Sequence, residues 1–234
     1  MTTPPRVLLA DDHTLVLEGF RRIVEQRCEV VGAVEDGRAL LDAATRLRPD
    51  LILLDISMPL LNGVDAARQL KKLLPDVKLI FVTMHADPAY VSEAFKAGAS
   101  AYLLKRSAAR ELEQAIDSVL KGQYFVTSLL TKDLVTTLSA GQAGLFAQRQ
   151  ELTPRQREVL QLIAEGRTIK EIASLLNISP KTVEFHKAQI IFHLNLRTTA
   201  ELTKYALAHG LPSAEPGLFM NTRSVGRSSR PAGP

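Results

Sequence analysis

The chain has 234 residues, of which 46% are hydrophobic and only 5% aromatic, with no Trp, one Cys and a formal net charge of +4. A lone Cys28 excludes an internal disulfide and a multi-cysteine metal site, and no apolar run approaches the ~20 residues needed to cross a bilayer. The charge is unevenly shared: residues 1–150 hold 18 Lys+Arg and 18 Asp+Glu, so the whole excess lies in 151–234, with 11 and 7.

In chain order, apolar runs at 6–10, 29–34, 51–54, 78–83 and 100–104 are each followed by a helical pattern. The predicted helices fall near 13–27, 37–48, 63–74, 87–97 and 107–121. Five strand–helix repeats predict a five-stranded parallel sheet, doubly wound with helices on both faces. Asp87-Pro88 offers a cap and a first-turn proline for the fourth helix. Gly98 and Gly122 stand where the fourth and fifth helices stop. No signal peptide is expected ahead of the first strand.

Two of the strands end in acids. Val7-Leu8-Leu9-Ala10 runs into Asp11-Asp12, and Leu51-Ile52-Leu53-Leu54 runs into Asp55. Open α/β sheets bind ligands at the carboxyl ends of their strands. Carboxylates gathered there repel unless a cation joins them, which points to a Mg²⁺ site with one carboxylate free to react. A strand-end Asp taken alone is more often a helix cap or a solvated acid.

Residues 123–148 predict a linker. Leu129, Leu130, Leu134, Val135 and Leu138 suit one short amphipathic helix, and 139–144 reads as a flexible connector. From 149 the pattern is all-helical, with helices near 154–165, 169–176, 180–194 and 199–209. Thr153-Pro154-Arg155-Gln156, Thr168-Ile169-Lys170-Glu171 and Thr198-Thr199-Ala200-Glu201 carry capping signals. Only Asn177-Ile178-Ser179 separates the second and third of these helices, the spacing of a helix-turn-helix unit over 168–187. Val183, Ile190 and Leu194 should face Val159, Leu162, Ile163, Ile172, Ala173 and Leu176. Lys181, Thr182, Glu184, His186 and Lys187 lie on the other face, and a helix loaded this way at its amino end can enter a DNA major groove. The tail 213–234 is rich in Ser, Pro, Gly and Arg and is expected to be disordered.

With those motifs in order, the chain resembles a two-component response regulator of the NarL/FixJ type. A receiver would cover about 1–122 and a LuxR-type helix-turn-helix domain about 149–212. The resemblance implies that Asp55 accepts a phosphoryl group from a sensor histidine kinase. It implies Mg²⁺ held by Asp11, Asp12, Asp55 and the backbone carbonyl of Ser57. Thr83 and Lys105 would sense the phosphate, and Tyr102 would be the switch aromatic whose ring moves inward. It also implies homodimeric binding to promoter DNA, with RNA polymerase as a further contact, in the cytoplasm and away from membranes. The last helix would supply the dimer contact. Such a protein is not an enzyme beyond its own phosphorylation and dephosphorylation.

The chain departs from the family pattern in places. Arg106 follows the lysine where many receivers have proline, Ile191-Phe192-His193 replaces a stretch often basic, and Asn195 stands where Gly is common. His85 is read as a solvated loop histidine and Cys28 as a passive thiol. Two other functions compete: a constitutive DNA-binding protein with a vestigial receiver, and a metal-dependent phosphohydrolase. The second lacks the acid two residues after its nucleophile, where Ser57 stands.

Overall fold

The computed structural model describes residues 3–130, 152–209 and 211. The connector at 139–144, the tail at 213–234 and the expected linker helix beyond residue 130 lie outside them. The order of elements is β1 (Arg6–Ala10), α1 (Thr14–Val24), β2 (Glu29–Val34), α2 (Gly37–Leu47), β3 (Leu51–Leu54), α3 (Gly63–Leu73), β4 (Lys78–Thr83), α4 (Pro88–Lys96), β5 (Ala101–Leu104) and α5 (Lys105–Leu120). A short strand β6 (Phe125–Val126) follows, then α6 (Pro154–Ala164), α7 (Ile169–Leu175), α8 (Pro180–His193) and α9 (Thr199–Ala208).

The sheet order is β2-β1-β3-β4-β5-β6, and all pairs are parallel. The alternating strand geometry divides the core in two. Leu8, Ala10, Ile52, Leu54 and Phe81 face α2, α3 and α4. Val7, Leu9, Leu51, Leu53 and Ile80 face α1 and α5. Cys28 lies buried at the edge of that second layer, in keeping with a passive role. The strand connections reverse direction between β1 and β3, so a crevice opens at the carboxyl ends of those two strands.

Two differences from the expected elements have local causes. The pairing continues past β5, because Phe125 and Val126 extend the sheet in register with Ala101 and Tyr102. So short a strand carries no periodic signal of its own. Helix α5 begins at Lys105, two residues earlier than its periodicity suggests.

The helical unit follows its punctuation closely. Thr153, Thr168 and Thr198 each cap a helix, and each forms the full reciprocal box with Gln156, Glu171 or Glu201. Val159, Leu162, Ile163, Ile172, Ala173, Leu176, Val183 and Ile190 form one buried cluster. Asn195 adopts φ +52°, which explains how it fills a place that favours Gly.

The two units are docked. The outer face of α6 sits on the β3–α3 loop and on α2 and α3. Arg157 grips Asp65 through Nε and Nη2 (2.9–3.2 Å), and Glu158 accepts from Arg38 (3.1 Å) and Gln69 (3.0 Å).

Candidate functional site: an acidic strand-end crevice and an exposed helix face

Asp55 leaves β3 with its backbone N–H bonded to the Ala10 carbonyl (3.0 Å), which ties the two acidic strand ends together. The chain then turns back sharply: the Gly63 N–H reaches the Ile56 carbonyl at 2.8 Å. A Cβ on Gly63 would lie 1.9 Å from the Asp55 carbonyl oxygen, so only glycine permits this approach.

Asp11 and Asp55 are almost fully buried, whereas Asp12 is exposed. Lys105, at the start of α5, places Nζ 2.7 Å from Asp11 Oδ2 and 2.8 Å from Asp55 Oδ2. Burial alone would lower the Lys105 pKa, but the charges of Asp55 and Asp11 outweigh it and hold the ammonium above its ordinary range. Burial, together with the charge of Asp55, raises the Asp11 carboxyl despite the lysine. One ammonium faces two buried carboxylates.

Asp11 Oδ2 is also buried and receives no well-directed hydrogen bond. Surplus negative charge on hard oxygen donors is what Mg²⁺ favours, so the residues present fit that ion. The exposed His13 touches the same cluster, with Nδ1 2.7 Å from Asp12 Oδ1, and ligand atoms of Asp11, Asp12 and His13 lie within 4.8 Å of one another.

The other expected site residues sit at neighbouring strand ends. Thr83 closes β4 and is fully buried. Tyr102 lies on β5, its ring buried, and its hydroxyl donates to the His85 carbonyl at 2.9 Å. The ring points inward in this arrangement. Burial raises the Tyr102 hydroxyl far above its ordinary range.

His85 is not the solvated loop histidine that the sequence suggests. It is half-buried, its Nε2 lies 2.8 Å from Ser57 Oγ, and its ring stacks on Tyr90 at 4.3 Å. Burial lowers its pKa. The cause is the β4–α4 turn, which folds the ring back over the crevice, a tertiary effect with no local signal. The Lys105–Arg106 peptide is trans, as proline's absence suggests.

On the helical unit, Lys181, Glu184 and Phe185 stand exposed on α8, while Val183 and Ile190 point inward. Thr182 Oγ1 is engaged with the capping Ser179 (2.8 Å), and Lys187 donates to Thr199 on α9 (3.1 Å). Nδ1 of His186 is buried without a partner. These three residues are thus less free than their position on the face suggests. Phe185, 59% exposed in the middle of this face, was not among the expected DNA contacts. Its signal was available: a large apolar residue at a position the core pattern leaves outside.

Two family models match the chain: "Response regulator receiver domain" over residues 7–117 and "Bacterial regulatory proteins, luxR family" over 150–206. The chain belongs to the NarL/FixJ-type response regulators. Among curated relatives, this response regulator is 35% identical over 218 residues to the transcriptional regulatory protein MctR of Rhizobium johnstonii, covering 91% of this chain and 99% of that one. It is 34% identical over 213 residues to the response regulator UvrY of Escherichia coli (strain K12), covering 89% and 96%. Among solved structures, RcsB of Salmonella typhimurium matches with a TM-score of 0.56 and 32% identity, over 88% of this chain and 100% of that chain. RcsB of Salmonella enterica serovar Typhimurium bound to promoter P1flhDC with the phosphomimetic BeF3- matches at 0.55 and 31%, over 87% and 98%. The family is one of transcription regulators and not of classical enzymes. Among the described residues, no helix is long and apolar enough to cross a membrane.

Proposed function

We infer that this response regulator controls transcription from promoter DNA and that phosphorylation of Asp55 switches it. The observation that carries this reading is the pairing of buried Asp55 and Asp11 with one shared Lys105, on the same chain as an exposed basic helix. The Asp55 carboxylate attacks the phosphorus of a phosphohistidine on a sensor kinase. The P–N bond breaks, the histidine leaves, and an acyl phosphate forms. Transfer of this kind needs positioning and charge neutralisation more than covalent help.

Asp11, Asp12, Asp55 and the Ser57 carbonyl would hold Mg²⁺, which supplies charge neutralisation at the phosphoryl oxygens when bound. Lys105 follows the developing charge, and Thr83 offers its hydroxyl to the phosphoryl group. The product carries roughly −2 where −1 stood. A bias of about 1.4 kcal/mol between two arrangements changes their ratio tenfold.

For DNA, Lys181 and Thr182 are assigned to phosphates, and Glu184 to a cytosine amino group. Lys187 and His186 complete the face once Lys187 leaves Thr199. The protein acts as a homodimer on paired half-sites, with α9 as the dimer contact, in the cytoplasm. The boundaries proposed are a receiver over 1–122, a linker over 123–148 and a DNA-binding domain over 149–212.

The test is titration of promoter DNA by wild type and Asp55→Asn, with and without acetyl phosphate. A donor-driven gain in wild type that is absent from the variant supports the reading; an equal gain in both overturns the role of Asp55.

A further inference from the structure

Gln161 lies on α6, in the DNA-binding half of the chain, yet its hydrogen bonds lead almost entirely out of that half. It is fully buried. Its Nε2 donates to the Met58 carbonyl at 3.0 Å, and its Oε1 accepts from the Asn62 N–H at 2.8 Å and from Asn62 Nδ2 at 3.3 Å. One turn on, Glu165 Oε1 accepts from the Leu60 N–H at 3.0 Å and from Gln161 Nε2 at 2.8 Å. Gln161 of α6 and Glu165, its C-cap residue, thus hold the alternate residues Met58, Leu60 and Asn62 of the loop that follows Asp55.

That loop is short and under tension. Leu60 sits at φ +64°, a conformation unfavourable for a branched side chain, and its side chain packs on the core of the helical unit. A strained backbone persists where its surroundings over-determine it, and here the surroundings are α6. Met58, the residue Gln161 holds, directly follows Ser57, whose carbonyl belongs to the candidate cation site. The recognition face takes no part in the grip: Lys181, Glu184 and Phe185 remain exposed in the docked arrangement.

We propose that Gln161 and Glu165 are positioning residues of the phosphoacceptor site, supplied by the DNA-binding domain. They hold the 58–62 loop in the geometry of the uncharged site, so charging Asp55 and releasing α6 are one equilibrium. This deepens the reading of Asp55 as phosphoacceptor and rests on it. The coupling runs along the chain from residue 55 to 62 and across two side chains; neither Thr83 nor Tyr102 has to transmit it. Coupling is reciprocal, so a weaker grip by α6 must raise the affinity of the acidic site for a phosphoryl analogue by the factor that it favours release.

The experiment uses the full chain with Mg²⁺ and beryllofluoride as the probe. Hydrogen exchange is read at the Leu60 and Asn62 amides, and fluorine NMR reads occupancy of Asp55. In wild type, the probe should accelerate exchange at both amides. Gln161→Ala should accelerate it without the probe and tighten beryllofluoride binding about fivefold, the worth of one net hydrogen bond. Gln161→Met, which keeps the volume and loses the hydrogen bonds, should behave alike and serves if the alanine variant does not fold. A merely structural Gln161 would change exchange and leave probe affinity untouched, which overturns the proposal. So does occupancy of Asp55 with both amides still protected. No fluorine signal in any variant overturns the phosphoacceptor reading first, and this proposal with it.

Discussion

Replacing Lys105 by Ala tests the electrostatics of the acidic crevice directly. The ammonium lies 2.7 Å from one buried carboxylate and 2.8 Å from another, and its own side chain is only 10% exposed. Removing one partner of a buried ion pair costs about 3–5 kcal/mol, because the remaining charge is left uncompensated. Part of that loss is recovered by proton uptake on Asp11, which burial already holds above the ordinary carboxylate range. A net destabilisation of about 2–4 kcal/mol remains at neutral pH, or roughly 4–16 °C in melting temperature for a chain of this size. Mg²⁺ sets +2 against the −2 of the two buried carboxylates, and a ligand at a hundred times its Kd adds about 2.7 kcal/mol. The assay is thermal unfolding of wild type and variant with and without Mg²⁺. The variant should melt lower without the ion and gain more from it, since no ammonium competes for the carboxylates. A variant that melts with wild type and gains no more from Mg²⁺ than wild type would refute this reasoning.

Other substitutions probe other parts of the molecule. Glu165 is raised by burial, against hydrogen bonds from Gln161 and Leu60 and the nearby Arg167. A raised acid penalises the docked form at pH above its shifted pKa, and the penalty vanishes as pH falls below the ordinary value of 4.5. Docking should therefore tighten on acidification, and Glu165→Gln should flatten that response in small-angle scattering profiles across pH. Gly63→Ala forces a Cβ to within 1.9 Å of the Asp55 carbonyl, so a loss of about 3 kcal/mol or more is expected in denaturant melts, with weakened Mg²⁺ binding. Ile172→Ala empties a fully buried position in the helical cluster; calorimetry should record a loss of about 2–5 kcal/mol. Lys181 is exposed on α8, and its replacement by Ala should reduce the slope of log affinity against log salt by about 0.9 if it meets one DNA phosphate.

Much of the architecture follows from local chemistry written in the chain. The runs Val7–Ala10 and Leu51–Leu54 are apolar at every position, and a parallel strand covered on both faces requires that pattern. The threonine caps fixed three helix starts to the residue, because a side-chain acceptor at the first N–H groups is a short-range interaction. The acidic crevice was legible for a related reason. Residues at strand ends meet wherever the strands are neighbours, so the acids Asp11 and Asp55 follow from topology once the strands are known, whereas Thr83 and Lys105 were singled out by the family resemblance.

Only the tertiary structure decided the rest. His85 lies over Ser57, Lys187 reaches Thr199, and Phe125–Val126 extends the sheet, and none of these is encoded by a period or a cap. The docking of α6 is the plainest case. Gln161 and Glu158 read locally as the polar side of an amphipathic helix, yet both are buried against the β3–α3 loop, α2 and α3. Sequence sets which groups a helix face presents. What those groups meet depends on long-range geometry, because a hydrogen bond across some hundred residues exists only once the whole chain has brought its two ends within about 3 Å.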